Sequence, residues 1–386
     1  MLRRAGNFQK CKSSAYTPSP EDTGAVLYQK WLNWVLQESH RRLIFRSFAL
    51  DAQASMSLLI NPIISYAELS TLMPESRRLW MAEDAEQWKT IYLQQPTQSA
   101  EQSIPSLVSL LQRPLDFSCL SSCYDLNFAA LSVLHGMWGM IWEYTQSCTI
   151  LSNRLGQGTA AIALRHQDLC LALEQLRMAI HETGGVNSPE VHLLLELLSM
   201  YLHVSLEKIQ LFAGKEDLEE ARHVLPALQE WAGLPNARQA VCSAGQVLCA
   251  AKAFATGQLR NFYAIAVYHA SLTCWAYGLI SQKTSNSKPG SDVNTGFVQL
   301  DGPDTSNMQR FITLGRGIPI MGPFTMGMGK STSEPILLSD PAGLMGAILE
   351  VLQNNNSPQA SGPPLVENLV QLMLDLGEAG ASVVDR

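Results

Sequence analysis

Apolar residues return at the spacing of one helix face along most of this chain. From Thr23 onward, Leu27, Trp31, Trp34 and Val35 share a side, and Leu43, Ile44 and Phe48 continue the pattern. Gln29 and Glu38 fall on wet faces, and this 3.6-residue period predicts a long helix starting near residue 23. Asn61-Pro62 stops it, because proline lacks the amide and disfavours helical geometry in the residue before it. Ser65 with Glu68 three places on predicts a short element capped reciprocally, which Pro74 ends. Trp80, Ala85, Trp88, Ile91 and Tyr92 then set an apolar face on one helix that stops near Pro96. Further helices are predicted over 124–151, 159–182, 189–213, 215–231 and 236–281, with Gly184-Gly185, Gly233 and Pro235 as breakers. Ser188-Pro189-Glu190 is a start signal, since proline suits the first helical turn. The run from Val191 to Leu202 is apolar nearly all round, which predicts a central helix.

Strand alternation is scarce, so the fold class is all-α: an irregular multi-helix domain over 23–352. Residues 1–22, polar and carrying Pro18 and Pro20, predict a disordered leader. From 281 to 307 the chain turns rich in Gly, Ser, Asn and Asp. That composition buries too little apolar surface to offset ordering entropy and predicts a flexible insertion, one long polar loop. Residues 353–386 are expected to form a linker and a short helix.

Two blocks carry a likeness to a known family. The first reads Trp31-Leu-Asn-Trp34, then Glu38-Ser-His-Arg41-Arg42-Leu43-Ile-Phe45-Arg46-Ser-Phe48-Ala-Leu50-Asp51, then Glu68-Leu-Ser-Thr-Leu72-Met73-Pro74-Glu-Ser-Arg-Arg-Leu79-Trp80, with Ala82, Ala85 and Trp88 after it. The second reads Leu314-Gly315-Arg316-Gly317-Ile318-Pro319, then Pro335-Ile-Leu-Leu-Ser-Asp340-Pro341 and an amphipathic helix from Ala342 to Leu352. Together they resemble the regulatory domain of fungal transcription factors, the fungal-specific transcription factor domain or middle homology region. The version attached to two-Cys two-His zinc-finger proteins is the nearest. The resemblance implies a nuclear regulator of RNA polymerase II transcription, effector-responsive and often governing a metabolic or biosynthetic gene set. Its implied partners are transcription machinery or co-regulator proteins, with homodimerisation possible. Zinc and DNA contacts are expected only from a DNA-binding domain missing from this chain or supplied by a partner.

Charge supports that division of labour. With 27 basic and 34 acidic residues the net charge is −7, whereas a self-contained nucleic-acid binder would more often show a basic surplus. Arg3, Arg4, Lys10 and Lys12 form a short basic arm, read as a solvated terminus in preference to a phosphate contact or targeting signal. Hydrophobic residues at 46% against 16% charged predict a buried core. No apolar run approaches the ~20 residues of a membrane span, and no secretory signal core opens the chain. The eight scattered cysteines read as free thiols in a reducing compartment. Composition alone does not separate nucleus from cytosol.

Candidate chemistry was weighed motif by motif. Cys119 and Cys123 with His135, or Cys242 with Cys249, lack a fourth ligand at zinc spacing. His192 and His203 lie on an apolar helix, where core or rim histidines predominate. Met328-Gly329-Lys330-Ser331 echoes a phosphate loop, but Phe324 stands where the motif needs glycine. Gly315-Arg316-Gly317 reads as a turn only. No nucleophile elbow, no His-Glu-x-x-His and no Asp-Asp-x-x-Asp is present, so an enzyme is not expected. Trp31, Trp34, Trp80 and Trp88 read as core, and Glu38 with Arg41 or Arg42 as a structural polar seam in preference to an effector site. No catalytic, cofactor-binding, metal or DNA-binding residue is assigned. The competing reading is a helical protein–protein interaction scaffold with no DNA-linked role.

Overall fold

The computed structural model describes residues 8, 16–94, 105–112, 124–151, 158–184, 186, 188–285, 296–322, 325–326, 330–331, 335–355 and 363–384. The basic arm, Pro96, Cys119, Cys123, Phe324 and Gly329 lie outside these residues. The described chain is all-α apart from a few short strands, and it forms two compact units, residues 1–191 and 192–386. The division falls in the helix Pro189–His203. No helix among the described residues is long and apolar enough to cross a membrane.

The first unit contains α1 (Gly24–Leu58), α2 (Arg77–Trp80), α3 (Ala85–Leu93), α4 (Leu107–Gln112), α5 (Leu126–Leu151) and α6 (Gly158–Thr183). α1 packs on α5 and α3, and α5 on α4 and α6. α1 ends where Asn61-Pro62 demands: Leu59 turns left-handed (φ 53°), and the Ile60 amide donates back to the Ser55 carbonyl. Ser65 and Glu68 close the expected capping box around a single 3₁₀ turn, Tyr66–Glu68. The helix expected through Trp80 and Trp88 is two helices, because Asp84 takes the N-cap of α3 and accepts from the Gln87 amide at 2.7 Å.

The end of the expected disordered leader is tied down. Asp22 accepts from the Ser19 amide and from Lys30 Nζ, each at 2.6 Å, while Lys89 Nζ donates to the Asp22 carbonyl at 2.7 Å. Lys30 is the first cause of the downward shift of the Asp22 carboxyl, followed by the Ser19 amide.

The second unit continues with α7 (Pro189–His203), α8 (Leu206–Phe212), α9 (Leu218–Ala232), α10 (Pro235–Lys252), α11 (Phe262–Ser285), β1 (Phe297–Gln299), α12 (Ser306–Leu314), β2 (Ile318–Met321), β3 (Thr325–Met326), β4 (Lys330–Ser331), β5 (Ile336–Leu337), α13 (Pro341–Asn354) and α14 (Pro364–Val384). β1 pairs parallel to β2, and β2 antiparallel to β5. Two expected helices break in two. One parts at Val204-Ser205, where Ser205 is extended; the other parts over 253–261. That second break is held from a distance by Asn355: its Nδ2 donates to the Phe254 and Ala255 carbonyls, each at 3.1 Å, and its Oδ1 accepts from the Leu259 amide at 2.8 Å.

The 281–307 segment is not one polar loop. α11 runs to Ser285, Val298 and Leu300 are buried, and Asp301 accepts from Lys252 Nζ at 2.5 Å and the Gly322 amide at 3.1 Å. Only residues 286–295 of that stretch lie outside the described chain. The expected short C-terminal helix is 21 residues long and packs on α13.

The second sequence block works as a clip. Gly315 ends α12 in the left-handed region (φ 67°), Asp340 caps α13 by accepting from the Gly343 amide at 2.9 Å, and Pro341 takes the first turn. Leu338, just past β5, lies so close to Gly278 of α11 that a Cβ there would collide with its carbonyl oxygen.

Candidate functional site

The first sequence block converges on one buried polar seam. Glu38 and Arg42 stand one turn apart on α1, and Arg42 Nε donates to Glu38 Oε1 at 2.8 Å. Arg41 Nη1 lies 3.5 Å from the other Glu38 oxygen and 3.3 Å from Glu75 Oε1. Glu75 answers with its main chain: its amide donates to Glu38 Oε1 at 3.1 Å, and its carbonyl accepts from Arg42 Nη2 at 2.8 Å. Asp125, just before α5, comes within 3.6 Å of Arg42 Nη1. The guanidinium is sandwiched by Trp80 and Phe128, 5.0 and 5.6 Å from the ring centroids, an arrangement favoured by the electron-rich ring faces.

Two guanidiniums thus face three carboxylates. Glu38 is 1% exposed, and burial pushes its carboxyl up to about 7; Arg42 pulls it back, and the neighbouring Glu75 adds to the rise. Burial also raises the Glu75 carboxyl. A surplus acid can hold a proton here at small cost, which keeps the seam near neutrality. The arrangement joins three chain segments: α1, the stretch leading into α2, and the start of α5. Glu75 and Asp125 escaped notice because their partners lie 33 or more residues away and no local period marks them.

The tryptophans build a core beside this seam. Trp34 and Trp88 are buried with Leu27, Leu79 and Ala85; Tyr16, Trp31, Trp80 and Tyr92 pack around them half-buried. The rings of Trp34 and Trp88 meet at 5.6 Å and 42°.

A different feature marks the second unit. A cavity of about 560 Å³ opens where α8, α9, α11 and α14 come together. Phe212, Ala221, Leu225, Trp275, Leu279 and Leu376 line it, and the Phe212 and Trp275 rings lie 5.5 Å apart. The Trp275 indole N–H donates to the Leu376 carbonyl at 3.1 Å, so the polar atom of this wall is satisfied and the ring face remains. Sequence gave no sign of the cavity, since its lining comes from four helices whose apolar residues individually read as ordinary core. A smaller pocket of about 180 Å³ in the first unit is bordered by groups that bond one another: Trp138 Nε1 to Ser55 Oγ, Trp142 Nε1 to Asn61, Tyr66 OH to Glu143.

His135 is buried on α5, its Nδ1 2.6 Å from the Leu131 carbonyl, and burial pushes it down to about 4. His192 is exposed, whereas His203 is half-buried with Nδ1 2.8 Å from the Ser199 carbonyl. Cys242 and Cys249 share α10; burial raises both thiols, Cys242 to about 12, which opposes the thiolate that zinc needs. Lys330 and Ser331 form β4 rather than a loop feeding a helix. Gly315 and Gly317 make the expected turn, both with positive φ.

Comparison with known proteins agrees with this arrangement. The fungal specific transcription factor domain matches residues 2–232. The chain is 24% identical over 377 residues to Transcription factor MYCGRDRAFT_87993 of Zymoseptoria tritici, covering 87% of this chain and 38% of that protein. It is 22% identical over 295 residues to Transcription factor PfmaH of Pestalotiopsis fici, covering 72% of this chain and 30% of that protein. The chain therefore spans about a third of the length of these curated relatives. No solved structure matches it. The match over residues 2–232, which holds the whole Glu38–Arg42–Glu75 seam, shows that the chain belongs to the fungal-specific transcription factor domain family.

Proposed function

We propose that this chain is the regulatory, non-enzymatic part of a fungal-type transcription regulator that works in the nucleus on RNA polymerase II genes. Membership of the family over residues 2–232 carries this reading, and both relatives described above are named as transcription factors. Sequence-specific DNA contact, with its zinc, belongs on this reading to a segment or partner outside the chain. The acidic balance of −7 supports that assignment, because phosphate binding rests on a basic surplus. The controlled genes are of the metabolic or biosynthetic kind, and the immediate partners are co-regulator proteins or a second copy of the chain.

A tethering experiment tests the reading. The full chain is fused to an unrelated sequence-specific DNA-binding module in a fungal host carrying a matched reporter. A several-fold rise or fall of reporter output, lost when the Glu38 seam is broken, is the expected result. Reporter output equal to that of the module alone, from a fusion that is nuclear and intact, would sink the proposal.

A further inference from the structure

The second unit holds a cavity to which the effector response implied by the resemblance has not been tied. At about 560 Å³ it lies inside the roughly 300–1,000 Å³ typical of small-molecule pockets. Its walls are firm. Trp275, Leu279 and Leu376 are 4, 5 and 6% exposed, and α14 is seated on Trp275 by a glycine. A Cβ at Gly380 would stand 2.9 Å from the Trp275 Nε1 and 2.8 Å from the Pro341 Cβ, so only glycine allows this approach. The Trp275 N–H is committed to the Leu376 carbonyl, which leaves only carbon atoms of the indole to border the cavity, with Phe212 beside it.

Water gains little in such a space, since an ordered water needs two to four polar partners. A ligand there is held mainly by apolar contact, and the surface released from water is chiefly its own. The polar side chains of the lining are Glu216 and Asp217 at the start of α9 and Gln229 three turns further along it. The Asp217 carboxylate already accepts from the Glu219 and Glu220 amides at 2.9 and 3.0 Å as the N-cap of α9. None of the described lining residues is basic, and the adjacent Lys215 donates its Nζ to Gln210 at 3.1 Å. An anionic ligand would meet two acids against one adjacent cation, whereas a neutral or cationic group meets no such excess of like charge.

From these features we propose that the cavity bounded by Phe212, Trp275 and Leu376 binds a ring-bearing, mainly apolar small molecule that is neutral or cationic. The ring lies beside Phe212 and Trp275, and any polar group points to the Glu216–Asp217 rim. The proposal goes beyond the regulator reading and does not depend on it, because binding is read on the purified chain without any transcription assay.

The test titrates the full chain with Nile red, a neutral planar dye, and with anilinonaphthalene sulfonate, an aromatic anion. The expected result is saturable binding of one Nile red per chain, with the anion at least about tenfold weaker. Ala221→Trp and Gln229→Trp, which project bulk into the cavity, should each weaken Nile red by about tenfold or more. Gln229 is exposed on α9, so its variant decides the matter should Ala221→Trp fail to fold. Hydrogen exchange at α9 and α14 should slow when the dye is added. Absent or non-saturable dye binding, binding untouched by Gln229→Trp, or a preference for the anion would each overturn the proposal.

Discussion

Arg42 and Glu75 are joined through the main chain: the guanidinium donates to the Glu75 carbonyl at 2.8 Å, 33 residues away in sequence. The Glu75 amide in turn donates to the carboxylate that Arg42 already holds. One arginine and one glutamate of α1 therefore fix the path of the segment that leads into α2. A helix surface alone would leave that segment free to slide.

Removing the acid should be costly. Glu38→Ala leaves Arg41 with Glu75 and Arg42 with the Glu75 carbonyl and Asp125, but it removes the acceptor of the Glu75 amide and is expected to destabilise the first unit by roughly 1–3 kcal/mol. Glu38→Gln keeps an acceptor for the Glu75 amide and should cost less. Urea unfolding of both variants checks the order; equal, small losses would show that the seam is dispensable.

The same acid gives the first unit a pH dependence of unusual sign. Its folded value of about 7 lies above the ordinary 4.5, so the folded state binds more protons between these limits. The stability it contributes is whole below about pH 4.5 and is lost as pH rises through 7, by roughly 3 kcal/mol in full. The unfolding free energy of the parent, measured relative to Glu38→Gln, should fall between pH 5 and 8. A flat difference would contradict this.

His269 acts in the opposite direction. It is buried on α11 with Nδ1 2.7 Å from the Tyr201 hydroxyl, and burial pushes it down to about 3. The unfolded chain binds the proton first, so this stability is present above pH 6.5 and lost as pH falls towards 3. At pH 5 the loss should be roughly 2 kcal/mol. His269→Gln, which does not titrate, should flatten the acid limb of a melting-temperature profile. An unchanged profile would place the acid sensitivity elsewhere.

Trp88 is 0% exposed, and Trp88→Ala should cost roughly 3–5 kcal/mol. Trp31 packs half-buried at the rim of the same cluster, so Trp31→Ala should cost clearly less. Comparing midpoints of denaturant unfolding decides it; equal losses would mean that Trp31 is as deeply set as its period suggests.

Asp301 anchors the stretch that composition marks as a loop. Asp301→Ala removes the acceptor shared by Lys252 and the buried Gly322 amide and should cost roughly 1–3 kcal/mol. Deleting 296–307 should unfold the second unit, seen as loss of a compact peak on gel filtration. A deletion that remains compact and melts like the parent would restore the loop reading.

Local signals were the legible ones. Asn61-Pro62, the Ser65–Glu68 box, Gly315 and Asp340-Pro341 each act within a few residues, and each does locally what its chemistry predicts. The misses share a non-local cause. Leu259 gains its acceptor from Asn355, 96 residues on, and the strand at Ile318 exists because Phe297 and Leu337 flank it. A polar composition around Asp301 hid one buried carboxylate with three donors. The seam was half visible: Glu38 and the two arginines follow helical spacing, whereas Glu75 answers them from another segment.

The bond from Trp275 to the Leu376 carbonyl spans 101 residues, and it sets an order of events during synthesis. A ribosome adding roughly 5–20 residues per second takes on the order of 5–20 s to pass from one partner to the other. Both partners reach the end of the exit tunnel with the same delay, so for an interval of that length Trp275 is outside while the helix that covers it is not. The nascent second unit therefore shows an aromatic apolar surface to the cytosol before it can close, which is the kind of surface that chaperones hold.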